Sequence, residues 1–198
     1  MFARPLRLAA VLLTALAASA CQNTKPPMQK LPEISFAHLR PIMLDVGQLE
    51  IVSEYTPPGR SPNIEHLMPV SPEGAAQRWA QDRLKPMGKS GFARVIIKDA
   101  KVVEVPLAID KGFTGAFKKE QEARYDAALD VAVQILDARH MVIAEAEATA
   151  ARSRTVPEGM TLNERDRIQY DISESLARDI DLQMEPLIRN YLGRWIIQ

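Results

Sequence analysis

Gly88-Lys89-Ser90 is the closing half of a phosphate-binding loop, in which backbone amides and a lysine hold phosphate oxygens. The opening glycine of such a loop belongs five residues earlier, where Arg83 stands. The loop also needs a strand before it and a helix after it, and here the patterns run the other way. Nucleotide binding is not expected, and Gly88 reads as the C-cap of a preceding helix. The three histidines, His38, His66 and His140, have no second His or Cys at metal-ligand spacing. They read as structural or solvated side chains, and no cofactor is expected. No Gly-x-Ser-x-Gly nucleophile elbow is present, nor a paired-acid motif, so the expectation is a chain that is not an enzyme. Asp166, Asp171, Glu174, Asp179 and Asp181 alternate with Arg165, Arg167 and Arg178, the pattern of a solvated helix face. Trp79 and Trp195 read as core anchors.

The stretch from Ile109 to Arg124, IDKGFTGAFKKEQEAR, offers binding chemistry instead. It joins two expected strands and is longer than a hairpin needs. Lys111, Lys118, Lys119 and Arg124 can meet phosphate or carboxylate while Phe113 and Phe117 enter an apolar groove. Docking on anionic lipid or on an acidic partner surface is one reading. A solvated loop whose phenylalanines fold back onto the core is the other.

Cys21 is the only cysteine, and it follows Ala18-Ser19-Ala20 at the end of an apolar run that starts after Arg4 and Arg7. A basic start, a short apolar run and small residues form a secretory signal, and the run is about half the roughly 20 residues a spanning helix needs. The junction resembles the lipobox of bacterial lipoproteins. That resemblance implies that residues 1–20 are removed and that Cys21 becomes the acylated first residue, with Gln22 behind it pointing to the Gram-negative outer membrane. A lone thiol in an oxidising compartment invites mispairing, whereas an acylated sulfur cannot pair. Residues 21–43 contain Pro26, Pro27, Pro32 and Pro41 and read as a tether. Residues 44–198 are expected to form one periplasmic domain.

Removing Arg4 and Arg7 with the leader leaves 23 basic against 25 acidic side chains, a net charge of −2. Nucleic-acid binding lacks its usual electrostatic footprint.

The elements that position these residues follow from periodicity. Leu44 to Tyr55 reads as a strand bulged near Gly47. Ser71-Pro72-Glu73 starts a helix with Ala76, Trp79, Ala80, Leu84 and Met87 on one side, which stops at Pro86-Met87-Gly88. Phe92 to Leu107, Tyr125 to Ile135 and Val142 to Val156 read as three strands, the last two a hairpin through Asp137-Ala138-Arg139-His140. Thr161-Leu162-Asn163-Glu164 is a capping box opening a long helix, with a kink or restart expected at Pro186. The fold class is α+β, a two-layer sandwich of order β-α-β-β-β-α. Two helices are expected on one face of a mainly antiparallel four-stranded sheet.

A lipobox cysteine, a proline-rich tether and this element order resemble the small outer-membrane lipoproteins that assist envelope assembly. These include the lipopolysaccharide-assembly lipoprotein and the auxiliary lipoproteins of lipid-transport systems. The resemblance implies a non-enzymatic protein held to the membrane by its lipid, which binds or stabilises an envelope-assembly or transport component. A carrier or sensor that holds a lipid or small ligand between helices and sheet is the alternative.

Overall fold

The computed structural model describes residues 30–108 and 121–197. Cys21 and the segment 109–120 therefore lie outside the described residues. The first expected strand is two strands, β1 (Ile42–Leu44) and β2 (Gln48–Ser53), which belong to different sheets. They part at Gly47, whose N–H is shared between the carbonyls of Ser90 and Gly91 at 3.0 and 3.1 Å. β1 pairs in parallel with β3 (Leu84–Pro86), so the preceding helix α1 (Pro72–Arg83) is shorter than its apolar spacing suggested. Pro86 disfavours a helical backbone at Lys85, and Leu84 gains burial against Ile42 instead of a place on the helix. Gly88 is thus not a helix C-cap. It lies where the chain crosses the β1–β2 link, and a Cβ there would sit 2.6 Å from the backbone carbon of Asp45. The start of α1 is as expected, with the Ser71 hydroxyl accepting from Gly74 N–H at 3.1 Å.

The main sheet contains β2, β4 (Phe92–Asp99), β5 (Val102–Pro106), β6 (Gln121–Leu136) and β7 (Val142–Pro157). β4 and β5 lie end to end along one side of β6, from Phe92↔Leu136 to Asp99↔Asp130 and then from Val102↔Ala127 to Pro106↔Ala123. The run read as one strand is therefore broken at Ala100-Lys101. There Ala100 turns into the core while the Lys101 carbonyl accepts from Ala128 N–H at 3.0 Å. β7 occupies the other side of β6 in the expected hairpin, and β2 joins the far edge in parallel with β4. The α+β architecture holds, with five strands along four lines plus the β1–β3 pair.

Helix α2 (Leu162–Tyr191) opens on the expected capping box. Thr161 Oγ1 accepts from Glu164 N–H, and Glu164 Oε2 accepts from Thr161 N–H at 2.8 Å. Its Ile172, Leu176, Ile180 and Met184 are buried in one core cluster with Leu129, Val131 and Val133 of β6 and Ala146, Ala148 and Ala150 of β7. The small alanines leave room for the helix, and each large apolar side chain so covered contributes about 1.5–3 kcal/mol. The helix neither breaks nor restarts at Pro186. The carbonyl left without its amide belongs to Leu182, an exposed residue that water can serve, while Met184 and Ile188 anchor the turns on either side.

The packed unit begins at Leu31, so part of the stretch expected as tether is a strap on the helices. Ile34 and Phe36 are buried, Phe36 N–H donates to Asp82 Oδ2 at 2.7 Å, and Glu33 pairs with Arg78. At the other end of the chain, Trp195 packs on the core, its carbonyl accepts from Asp45 N–H at 2.7 Å, and Ile196 bridges to Leu44. No helix among the described residues is long and apolar enough to cross a membrane.

Candidate functional site

Alternation along the strands decides what faces away from the helices. In β6, Ala123, Tyr125, Ala127, Leu129, Val131, Val133 and Ile135 point into the core, so Arg124, Asp126, Ala128, Asp130, Ala132, Gln134 and Leu136 form the opposite face. The helices pack on the core side; on the opposite face Arg124, Asp126, Ala128, Asp130 and Gln134 are half-buried and Ala132 and Leu136 are buried. Its rows run across the strands by register: Val105, Arg124 and Thr155; Val103, Asp126 and Ser153; Ala128 and Ala151; Ile96, Ala132 and Glu147; Arg94, Gln134 and Glu145.

Charge on the face is organised in pairs. Arg124 Nη2 meets Asp126 Oδ2 at 2.7 Å, its Nε meets Oδ1 at 2.9 Å, and Ser153 Oγ donates to Asp126 Oδ1 at 2.7 Å. The Arg124 guanidinium first, and the Ser153 hydroxyl second, hold the Asp126 carboxyl below its ordinary range. Arg94 donates to Glu50 at 2.9 Å, and Lys98 bridges Glu147 at 2.8 Å and Glu145 at 3.5 Å. Glu147 and Glu145 together raise the Lys98 ammonium, the hydrogen bond to Glu147 contributing most. Asp130 sits between these groups with a buried, unpartnered Oδ1, and desolvation and then the Glu147 charge push its carboxyl up. Between the paired charges, Val103, Ala128 and Ala151 floor a shallow depression of about 330 Å³ rimmed by Lys101, Asp126 and Ser153.

Arg124 is the one expected binding residue among those described, and it lies in β6 rather than in a loop, engaged with Asp126 on the face opposite the helices. Lys111, Phe113, Phe117, Lys118 and Lys119 lie outside the described residues. The connection that carries them leaves and enters at one place, since Leu107 N–H donates to the Glu122 carbonyl at 2.9 Å. That place adjoins the Arg124–Asp126 end of the face.

Two polar clusters escaped the sequence. Glu65 is buried, with Oε1 accepting from the Tyr55 hydroxyl at 2.8 Å and Oε2 from Val102 N–H at 3.1 Å. Burial first, and then the Glu65 hydrogen bond, push the Tyr55 hydroxyl up. All of these groups are committed to one another, so the cluster fastens the proline-rich loop to β5. Arg83 is 2% exposed and binds Asp181 at 2.5 Å, Glu185 at 2.6 Å and the Arg40 carbonyl, while Trp79 Nε1 donates to the same Asp181 oxygen at 2.9 Å. Asp181 is therefore not part of the solvated helix face. Its neighbours on α2 do form surface pairs, Arg167 with Asp171 and Arg178 with Glu174. The partners of Arg83 lie 98 and 102 positions away, which no local spacing reveals.

His38, His66 and His140 are exposed, and His140 stacks on Phe92 with ring centroids 4.2 Å apart. Among the described residues no group of three His, Cys, Asp or Glu side chains is placed to hold a metal ion.

No protein-family model matches the chain, and no curated protein matches it. Among solved structures, a minor lipoprotein from Acinetobacter baumannii aligns with a TM-score of 0.36 at 14% identity, covering 78% of this chain and 98% of that one. A Xanthomonas campestris protein described as DUF330 aligns with a TM-score of 0.34 at 9% identity, covering 81% and 93%. At these scores neither likeness bears on function.

Proposed function

We propose that this is a lipoprotein anchored through Cys21 that acts without catalysis, holding an envelope-assembly or transport component against the sheet face opposite the helices. The observation that carries the reading is that face. A broad surface of paired charges around a small apolar floor suits a flat protein partner better than it suits a small substrate. The Lys- and Phe-rich connection 109–120 starts and ends beside it, so both can contribute to one interface. The placement in the outer membrane, facing the periplasm, is inferred from the lipobox and Gln22.

Carriage of a lipid between helices and sheet has less in its favour, because Leu176, Ile180 and Met184 already fill that layer with the alanines of β7. The discriminating experiment is recovery of partners from detergent-solubilised membranes. Ala151→Arg places a long cation on the apolar floor of the face, and Gln81→Lys alters an exposed position on α1, in the helical layer. A stoichiometric envelope protein recovered with wild type and with Gln81→Lys, and lost with Ala151→Arg, supports the reading. Lipid alone, or equal protein recovery in all three, refutes it.

A further inference from the structure

Six of the nine large apolar side chains exposed among the described residues lie at one end of the fold: Met87, Met141, Val142, Ile143, Tyr191 and Ile197. The register places them there. β2 and β4 start at this end and β6 finishes at it, since Gln48, Phe92 and Leu136 are in line, and Val142 opens β7 beside Leu136. The β3–β4 link joins the same end, with Gly88 bonded to Val46 and Gly91 next to the Leu136 carbonyl. Along α2, Arg152 meets Asp179 and Gln183 meets the Thr149 carbonyl, so the helix runs toward the end of the hairpin where β7 opens, and its last turn, with Tyr191, approaches that end.

This end is built rather than frayed. Asp137 Oδ1 accepts from Arg139 N–H at 2.8 Å and from Met141 N–H at 2.9 Å, and His140 takes φ 60 to close the turn. Met141, Val142 and Ile143 are thereby presented at 63, 47 and 51% exposure from a fixed hairpin. Cations stand among them. Lys89 has no ion-pair partner among the described residues, Arg139 is 88% exposed in its side chain, and Arg194 lies over the Trp195 ring. The acidic side chains near this end include Asp45, Asp137 and Glu50; Asp137 caps the turn and lies 3.8 Å from Arg139, and Glu50 is paired with Arg94 at 2.9 Å.

We propose that this end of the fold rests in the interfacial layer of a phospholipid bilayer. Apolar side chains from both layers of the fold, separated by cations, make a discontinuous plate, and a bilayer accepts each of them singly while headgroup phosphates meet Lys89, Arg139 and Arg194. Tyr191 and Trp195 belong to the types enriched at that depth. Reach is compatible: the nine residue-to-residue steps from Cys21 to Lys30 span at most about 32 Å. Helix α2 rises only about 26 Å from Glu174, beside which the strap packs, to Tyr191. The orientation rests on the anchored reading for its membrane. It also turns the opposite end, with Leu162, away from the bilayer.

The test uses the full chain, purified and reconstituted in vesicles of phosphatidylethanolamine and phosphatidylglycerol. An environment-sensitive fluorescent amino acid is placed at Met141 or, as the other end, at Leu162. Emission from position 141 should shift to the blue on reconstitution and be quenched several-fold more by nitroxide-labelled lipid than emission from 162. Lys89→Glu with Arg139→Glu should reduce that quenching while leaving the melting temperature unchanged. Equal quenching at both positions, stronger quenching at 162, or a blue shift at 141 without lipid quenching overturns the proposal, the last because it means protein covers this end. The intact mass reports acylation of Cys21 separately. An unacylated chain counts against the anchored reading, and the two probes still decide which end meets lipid.

Discussion

Replacing Asp181 with alanine removes one carboxylate that serves both Arg83 and Trp79. Arg83 is almost completely buried, so its guanidinium cannot turn to water when the partner goes. Breaking a buried ion pair from one side costs about 3–5 kcal/mol. Glu185 and the Arg40 carbonyl still hold the two terminal nitrogens of Arg83, which moves the expectation to the lower end, about 3 kcal/mol. In a unit the size of Leu31–Gln198 that corresponds to a fall in melting temperature of about 6–12 °C. Urea titration should show the same loss as a lower midpoint at unchanged slope. Asp181→Asn keeps an acceptor for Trp79 and should be milder. Arg83→Met combined with Asp181→Leu should recover part of the loss, because both charges then leave the interior together. A coupling energy within about 0.5 kcal/mol of zero in that double-mutant cycle would refute the assignment. Salt should change the result little, since the pair is shielded from screening.

Gly88→Ala puts a methyl group 2.6 Å from the Asp45 backbone and should cost about 1–3 kcal/mol, read as a lower urea midpoint. Asp130→Asn should stabilise the fold at neutral pH. Its carboxyl is raised in the folded state, so ionisation above that raised value disfavours the fold. The advantage of the variant should therefore shrink as pH falls through the raised value and vanish below the ordinary aspartate range, where both states are protonated, and melting curves across pH 3–8 show it. Thr161→Ala removes the hydroxyl half of the capping box and should cost about 1 kcal/mol by the same melting assay. Cys21→Ser should abolish labelling by a fatty-acid analogue and leave an unprocessed chain that washed membranes hold poorly. Equal labelling of wild type and variant would end the lipoprotein reading.

The parts of this fold that were legible from the sequence are those whose signal is local. Alternation over Tyr125–Ile135 and Val142–Val156 specifies a hairpin because a one-residue slip would expose every core side chain. Ser71 and Thr161 mark helix starts because their hydroxyls have only one useful partner nearby. The missed features depend on distant chain. Ile34 and Phe36 are two apolar residues among prolines and polar side chains, too few to contradict a tether, yet they suffice once α1 and α2 present a groove. Asp181 looked like one more acid on a charged helix, and only the fold shows Arg83 beneath it. The early end of α1 did have a local signal in Pro86, which competes with helical spacing at Leu84 and Met87. For the sheet face opposite the helices the sequence supplied Arg124 but not its setting, because the row from Val103 through Asp126 to Ser153 exists only after three strands have paired.

The strap gives the Arg83 cluster a role beyond stability. The chain leaving the expected anchor meets the fold first at Ile34 and Phe36, then passes Arg40, whose carbonyl Arg83 holds, before entering β1. β1 is in turn pinned by β3 and by the tail through Leu44 and Ile196. If the chain is anchored as proposed, a pull on the strap would be borne by side chains of both helices and not by the edge of the sheet, since β2 begins only after the link that Gly47 and Gly88 clamp. The sheet face opposite the helices carries none of these attachments. Loosening the strap, as Phe36→Ala would, should thus weaken the hold of the anchor on the helices while leaving the face intact. Hydrogen exchange should rise at Leu39, whose amide bonds the Phe36 carbonyl, and stay unchanged in β6. Faster exchange in β6 as well would mean that the two layers open as one unit, and that the strap and the sheet face opposite the helices are mechanically coupled.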